Sequence, residues 1–163
     1  MKKKKISIVA GDMVGFSRLI EEDEINTLKR QKIIVKDIID PKLGENNGKL
    51  IKTTGDGFLA VFENCDQSLS FGIEIQNQII DQEKIIIPEK KIWYRIGINY
   101  GEIILENDDI YGNEVNIASR VESICEPGGI SITSTVKKNL KKNNIKLKNC
   151  LLYTSDAADD DTR

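Results

Sequence analysis

The segment Lys49–Phe62, which reads KLIKTTGDGFLAVF, contains two β-type runs around a glycine-flanked aspartate. The runs are Lys49–Thr54 and Phe58–Phe62, and the triplet Gly55-Asp56-Gly57 joins them. An Asp-Gly pair between two such runs is a strong hairpin signal. The segment therefore predicts a β-hairpin that carries a carboxylate at its turn.

The segments on either side of this hairpin show strand and helix patterns in turn. Upstream, Ile6–Ala10 predicts a buried strand, and Ser17–Asp40 predicts a helix that Pro41 stops. Downstream, Asp66–Glu83 predicts a helix, and Ile92–Asn99 with Glu102–Leu105 predicts a strand pair about Tyr100-Gly101. The rest of the chain predicts a helix over Gly112–Cys125, a strand over Ile130–Thr133 and a short helix over Ser134–Lys142. This order contains a βαββαβ core, which predicts a ferredoxin-like α+β fold with an antiparallel sheet and helices on one face.

The chain has 163 residues, of which 39% are hydrophobic and 31% charged, with a net charge of −2. These values are ordinary for one soluble domain, and the acidic balance argues against non-specific nucleic-acid binding. No apolar run is long enough to span a bilayer, and the run after Lys2–Lys5 is too short for a signal peptide. We therefore expect a cytoplasmic protein with no membrane insertion in this segment.

The chain contains no histidine, which limits its chemistry. Ser-His and Cys-His nucleophilic catalysis and histidine-ligated zinc are excluded, and carboxylates remain as the strong metal ligands. Cys65, Cys125 and Cys150 are widely spaced and match no zinc or redox pattern. We expect them to be reduced packing residues.

The composition changes near the end of the chain. A Lys/Ile/Asn-rich sequence gives way to YTSDAADDDTR after Leu152. We therefore predict a domain over residues 1–151 that is incomplete at its C-terminus, followed by a non-native or disordered tail over residues 152–163.

Three segments carry residues suited to nucleotide chemistry. In GDMVGFS, Asp12 ends a strand just before a helix N-terminus, which suits a metal cation and a phosphate together. Asp56 lies in the hairpin turn, so the two aspartates could share a pair of Mg²⁺ ions. In DDIYGNEVNIASR, Asn116 and Arg120 share one helical face and suit an anionic, hydroxyl-bearing ligand. Each segment alone also fits a capping residue, an exposed turn or a solvated surface pair.

Together these segments resemble the catalytic domain of class III adenylate/guanylate cyclases, from about Ile6 to Val136. The resemblance rests on several strings in the order and spacing of that family: GDMVGFSRL, DPKL, KTTGDGFLA, RIGIN and DDIYGNEVNIASR. It implies the class III nucleotidyl cyclase fold and a homodimer with two active sites shared across its interface. It also implies two divalent metal ions, Mg²⁺ or Mn²⁺, as cofactors.

The resemblance implies a role for each matching residue. Asp12 and Asp56 would bind the metals with the Met13 carbonyl, and Gly15, Phe16 and Ser17 would hold the triphosphate. Lys52 and Asp109 would read the base, and Asn116 and Arg120 would orient the ribose and stabilise charge on the α-phosphate. In the shared site, one subunit would supply the metal aspartates and the other the base-reading and catalytic residues.

The base-reading pair predicts ATP as the substrate. Lysine only donates hydrogen bonds and ionised aspartate only accepts them, which complements N1 and the 6-amino group of adenine and opposes guanine. Guanylate cyclases of this family typically carry Glu and Cys at these two positions. The prediction is an adenylate cyclase that converts ATP to 3′,5′-cyclic AMP and pyrophosphate in signal transduction.

Other functions stay open at this point. A weak or inactive cyclase-homology domain could act as a nucleotide-binding or dimerisation module. An RNA-binding module would need adjacent aromatics on a basic sheet face, which does not match a chain with a net charge of −2. Diguanylate cyclases carry an acidic hairpin that is missing here. The triphosphate lysine of the family has no counterpart at its usual distance, because Lys148 follows the preceding helix too closely.

Overall fold

The computed structural model describes residues 1–141 and 152–155. The strands are β1 (Lys2–Met13), β2 (Lys49–Thr53), β3 (Gly57–Phe62), β4 (Tyr94–Glu106), β5 (Asp109–Tyr111), β6 (Ile130–Thr133) and β7 (Leu152–Ser155). The helices are α1 (Phe16–Glu22), α2 (Glu24–Ile34), α3 (Asp40–Glu45), α4 (Cys65–Gln82), α5 (Asn113–Ser123) and α6 (Ser134–Lys138). A π-helical turn, Val35–Ile39, joins α2 to α3, and two 3₁₀ turns, Glu83–Ile85 and Pro88–Lys90, precede β4.

The strands form one sheet in the order β2-β3-β1-β4-β6-β7, with β5 paired to β4. The first four are antiparallel and have the strand order of a ferredoxin-like βαββαβ core. Strands β6 and β7 extend this core in parallel. The predicted α+β class with an antiparallel core sheet is confirmed.

The two faces of the sheet are covered by different helices. On one face, Val9 of β1 belongs to the same apolar core as Ile34 of α2 and Phe71 of α4. On the other face, Ile8 of β1 clusters with Ala118 of α5. The helices of the βαββαβ core therefore lie on one face as expected, whereas α5 covers the opposite face.

Strand β4 is continuous, so the predicted strand pair about Tyr100-Gly101 is wrong. All twelve residues of β1 pair with it, from Lys2 opposite Leu105 to Met13 opposite Tyr94. Gly101 makes room for a neighbouring side chain instead of turning the chain, since a Cβ there would lie 2.5 Å from Cδ of Glu114. Tight packing on α5, not a hairpin, accounts for this glycine.

The single helix predicted for Ser17–Asp40 is divided into several pieces. Asp23 separates α1 from α2 and caps α2 by accepting a hydrogen bond from the Asn26 N–H at 3.2 Å. The chain then continues past Pro41, which lies in the first turn of α3. The π-helical turn Val35–Ile39 precedes this proline, and the chain stays helical through it, so Pro41 does not end the helical segment as predicted.

The first residues of the predicted tail take part in the sheet. Leu152–Ser155 forms β7, which pairs with β6 from Ile130 opposite Leu152 to Thr133 opposite Ser155. Lys148, Cys150 and the remaining tail residues 156–163 lie outside the described residues. The boundary after residue 151 stays a prediction. Among the described helices, none has the length and apolarity needed to cross a membrane.

Candidate active site

Strand pairing brings Asp12 and Asp56 to the same end of the sheet. Asp12 lies opposite Gly57 in the β1–β3 ladder. The Met13 N–H donates a hydrogen bond of 2.8 Å to the Asp56 carbonyl, so the ladder continues into the turn. Both aspartates are half-buried. Two adjacent strands therefore place two carboxylates where one bound ion could contact both.

The electrostatics around Asp12 favour a cation. Burial raises the pKa of Asp12, and the negative charge of Asp56 raises it further. A hydrogen bond with Glu122 and the positive charge of Arg95 oppose these effects. A divalent cation would relieve the repulsion between the carboxylates, so this pair of ligands fits Mg²⁺ or Mn²⁺.

The loop after β1 leads directly into α1. Gly15 has φ 63° and ψ 33°, a left-handed conformation that favours glycine, and its carbonyl accepts from the Leu19 N–H at 3.0 Å. Gly15 and Ser17 are exposed, and Phe16 packs in part against the core. The three predicted triphosphate residues thus form one short turn beside Asp12.

Lys52 and Asp109 are brought together by two local features. A register shift in β2 lies between Leu50 and Lys52, and such bulges redirect side chains. The β4–β5 turn uses Asn107 and Asp108, both with positive φ, so Asp109 opens β5 beside β2. The Lys52 Nζ lies 3.2 Å from the Asp109 carboxylate. The predicted base-reading residues therefore form an ion pair within one subunit.

Asp109 is held as an ionised acceptor. The Ile110 N–H donates to its Oδ1 at 2.7 Å, and this hydrogen bond is the main reason that its pKa lies below the usual value. Lys52 lowers the pKa of Asp109 further by hydrogen bonding and by its charge. The pair thus presents one donor and one acceptor.

Helix α5 presents different residues on different faces. A cavity of about 330 Å³ lies between the sheet and α5, and its lining includes Asp12, Lys52, Ser119 and Glu122. Asn116, which is exposed, and Arg120, which is half-buried, do not line this cavity. The structure therefore brings Asp12 and Lys52 to one cavity, but Asp56, Asp109 and the predicted catalytic pair do not line it.

The sequence profile of the family described as "Adenylate and Guanylate cyclase catalytic domain" matches residues 1–152. The chain belongs to this family. It is 31% identical over 136 residues to "Putative adenylate cyclase 3" of Rhizobium meliloti, which covers 83% of this chain and 23% of that protein. It is 24% identical over 149 residues to the receptor-type guanylate cyclase gcy-13 of Caenorhabditis elegans, covering 80% of this chain and 14% of that protein.

A solved structure is similar over most of this cyclase domain. The adenylate/guanylate cyclase/hydrolase from Silicibacter pomeroyi is 40% identical and superposes with a TM-score of 0.80. The match covers 88% of this chain and 83% of that one. The cyclase domain spans about a quarter of the Rhizobium relative, and its relatives include both adenylate and guanylate cyclases.

Two charged residues near Asp12 in the cyclase domain were not identified from sequence. Arg95 lies opposite Asp12 in the β1–β4 ladder, and its Nε donates to the Cys125 carbonyl at 2.8 Å. Glu122 of α5 hydrogen-bonds Asp12, and burial together with the Asp12 charge raises the pKa of Glu122 to about 8. The arginine within the apolar run IWYRIGIN was an available signal, because a charged residue in a buried strand needs a partner. No comparable pattern marked Glu122.

Proposed function

We propose that this domain is an adenylate cyclase that converts ATP to 3′,5′-cyclic AMP and pyrophosphate. The observation that carries the proposal is the ion pair of Lys52 and Asp109, whose Nζ and carboxylate lie 3.2 Å apart. Lys52 can donate to adenine N1, and Asp109 can accept from the 6-amino group. Guanine would place a donor against Lys52 and an acceptor against Asp109.

Asp12 and Asp56 would hold two divalent ions, Mg²⁺ or Mn²⁺, with the Met13 carbonyl as a further ligand. When bound, such ions activate the ribose 3′-hydroxyl and neutralise charge on the leaving pyrophosphate. Within residues 1–141, no group of three or more Asp, Glu, Cys or His side chains is arranged to hold a metal. An incomplete protein ligand set suits ions that arrive with a triphosphate, since phosphate oxygens complete the coordination.

The other residues bind and orient the nucleotide. Backbone N–H groups of Gly15, Phe16 and Ser17 at the start of α1 can donate to phosphate oxygens. Asn116 would orient the ribose, and Arg120 would stabilise charge on the α-phosphate. The 3′-oxygen attacks the α-phosphorus, the bond to the β-phosphate oxygen breaks, and the hydroxyl proton passes to water. This route requires no histidine.

Because Asn116 and Arg120 do not line the cavity with Asp12, we infer that a second subunit supplies them. A homodimer would then contain two equivalent sites, each with Asp12 and Asp56 from one chain and with Lys52, Asp109, Asn116 and Arg120 from the other. The exposed position of Asn116 is compatible with such an interface.

The test is to incubate the purified protein with ATP or GTP and Mn²⁺ and identify the product by mass spectrometry. Wild type should convert ATP preferentially to the cyclic product. Asp56→Ala should lose this activity with little change in unfolding midpoint, because Asp56 is only half-buried. The control Asp37→Ala, at an exposed position on the π-helical turn, should behave as wild type.

Retained activity in Asp56→Ala would reject the metal role of this residue. Equal use of GTP by wild type would reject the adenine assignment. Nucleotide binding without turnover would favour a catalytically inactive cyclase-homology domain.

A further inference from the structure

A separate cavity of about 210 Å³ lies on the face of the sheet opposite α5. Its walls come from the helical segment Gln31–Asp40 and from the β2–β3 hairpin. Asp12, Lys52 and Glu122 line only the cavity under α5, and the two cavities share Thr54 and Phe58. The proposed nucleotide chemistry therefore leaves this cavity unused.

The cavity is in direct contact with the hairpin that carries Asp56. Gly55 and Gly57, which flank Asp56, both line it. The Gln31 Nε2 donates to the Gly55 carbonyl at 2.9 Å and ties the helix to the turn. A molecule in the cavity would therefore touch the segment that positions the Asp56 carboxylate.

The lining combines apolar side chains with four polar residues that are not buried, Gln31, Asp40, Thr53 and Thr54, and with one buried hydroxyl. Val35, Ile39, Leu50 and Phe58 supply the apolar surface. Tyr94 also lines the cavity and is only 1% exposed. Within residues 1–141, no hydrogen bond reaches its hydroxyl. A buried hydroxyl normally has a partner, so the cavity offers an unused hydrogen-bond donor.

The Tyr94 hydroxyl remains a donor over the ordinary pH range. Burial raises the pKa of Tyr94 well above its usual value, and the charges of Asp56 and Asp12 act in the same direction. A ligand that carries an acceptor atom can therefore use this hydroxyl as a hydrogen-bond donor.

The helical wall has unusual geometry. Val35 and Ile39 lie at the two ends of the π-helical turn Val35–Ile39. Single π-helical turns within α-helices occur frequently at functional sites. This feature is independent of the cavity chemistry and lies on the same wall.

We propose that this cavity binds a compact, largely apolar molecule with one hydrogen-bond acceptor, and that its occupancy restrains the hairpin carrying Asp56. The cavity is smaller than the range of about 300–1,000 Å³ that suits drug-sized ligands, so a singly substituted benzene is the appropriate size class. The restraint of the hairpin rests on the metal role proposed above for Asp56, whereas binding in the cavity does not.

Binding is tested by saturation-transfer NMR with acetophenone and with ethylbenzene, which has similar shape but no acceptor. Wild type should bind acetophenone more tightly, by about two- to tenfold, as expected for one hydrogen bond. Tyr94→Phe should remove this difference without lowering the unfolding midpoint. Val35→Trp and Leu50→Trp, which fill the cavity from opposite walls, should abolish binding of both probes.

Ile85→Trp is the matched control, because Ile85 is 89% exposed and distant from the cavity lining. It should bind both probes as wild type does. No binding by wild type would overturn the proposal. Binding that persists in folded Val35→Trp or Leu50→Trp, or an acetophenone preference that survives Tyr94→Phe, would also overturn it.

Restraint of the hairpin is tested by Mn²⁺ titration monitored by electron paramagnetic resonance, with 3′-deoxy-ATP, which lacks the attacking hydroxyl. Acetophenone should change the Mn²⁺ concentration at half-saturation of wild type at least twofold. It should leave this concentration unchanged for Val35→Trp. No shift in wild type would overturn the restraint. Mn²⁺ binding that Asp56→Ala does not weaken would instead reject the proposed metal site, and the NMR result on the cavity would stand.

Discussion

Lys52 and Asp109 are the two side chains to which we assign the choice between ATP and GTP. Their positions come from a shifted register in β2 and from the tight β4–β5 turn, and neither side chain is deeply buried. Changing them should alter the specificity for the base more than the stability of the fold, because an exposed ion pair contributes little to folding.

We predict that Lys52→Glu combined with Asp109→Cys reduces the preference for ATP over GTP. The change replaces a donor by an acceptor and removes the carboxylate that guanine O6 would oppose. The measurement is kcat/KM for both nucleotides. The control is Lys49→Glu with Asp108→Cys, a neighbouring exposed ion pair, which should keep the wild-type preference. An unchanged ATP/GTP ratio in the first variant would contradict the assignment.

Glu122 predicts a pH dependence of stability in the metal-free protein. Its pKa is raised from 4.5 to about 8 in the fold, so between these values the native state keeps a proton that the unfolded chain has lost. Stability therefore falls as the pH rises from about 4.5 to about 8. Glu122→Gln should reduce this fall, because the glutamine does not titrate.

The measurement is thermal unfolding in EDTA at several values across this pH range. Glu21→Gln, at an exposed position of α1, is the control and should keep the wild-type slope. The raised pKa of Asp12 contributes in the same direction, so some of the slope should remain in Glu122→Gln. Identical slopes in the two variants would contradict the prediction.

At the scale of elements, the position of α5 depends on a glycine in β4. A Cβ at Gly97 would lie 2.3 Å from the Glu122 nitrogen and 2.6 Å from the Ala118 carbonyl oxygen. Both are backbone atoms of α5, so no side chain can move aside. The Asn99 Nδ2 also donates to the Glu114 carbonyl at 2.9 Å and fixes the start of the helix.

Gly97→Ala should therefore displace α5 and destabilise the fold by about 1–3 kcal/mol, as overpacking typically does. Activity should fall too, since α5 carries Asn116 and Arg120.

Gly44→Ala is the matched control. Gly44 lies in α3 with nothing within 4 Å of a Cβ, and its φ is not positive. Chemical denaturation should show Gly44→Ala to be more stable than wild type by about 0.5–1 kcal/mol. A Gly97→Ala protein as stable as wild type would show that α5 can shift freely.

At the scale of the whole molecule, one subunit does not bring all candidate residues together. Asp12 and Lys52 line one cavity, and Arg120 does not line it. Mixing an inactive Asp12→Ala protein with an inactive Arg120→Ala protein should therefore restore activity. Random pairing makes half of the dimers mixed, and each mixed dimer has one intact site, so about a quarter of wild-type turnover is expected.

The control for this mixture is Asp12→Ala with Asp56→Ala, because both variants damage the same half of the site. That mixture should remain inactive at every ratio. If Asp12→Ala with Arg120→Ala shows no recovery although mass spectrometry detects mixed dimers, the shared site is wrong.

Much of the fold was accessible from local patterns. The hairpin around Gly55-Asp56-Gly57, the buried strand before Asp12 and the helix that starts after Gly112 all have short-range signals. Two errors have different causes, one long-range and one local. Tyr100-Gly101 suggested a turn, but Gly101 accommodates Glu114 of α5. Pro41 suggested a helix end, but the preceding π-helical turn lets it occupy the first turn of α3.

Local sequence patterns were enough to predict the βαββαβ order, the family resemblance and the candidate residues, because turn chemistry and motif spacing are properties of neighbouring residues. Three-dimensional packing was needed to show that α5 lies on the opposite face, that Lys52 contacts Asp109, and that Arg95 and Glu122 lie near Asp12. These relations join residues distant in the chain. They depend on which distant strands and helices meet and on how closely their backbones approach, and a pattern within one segment shows neither.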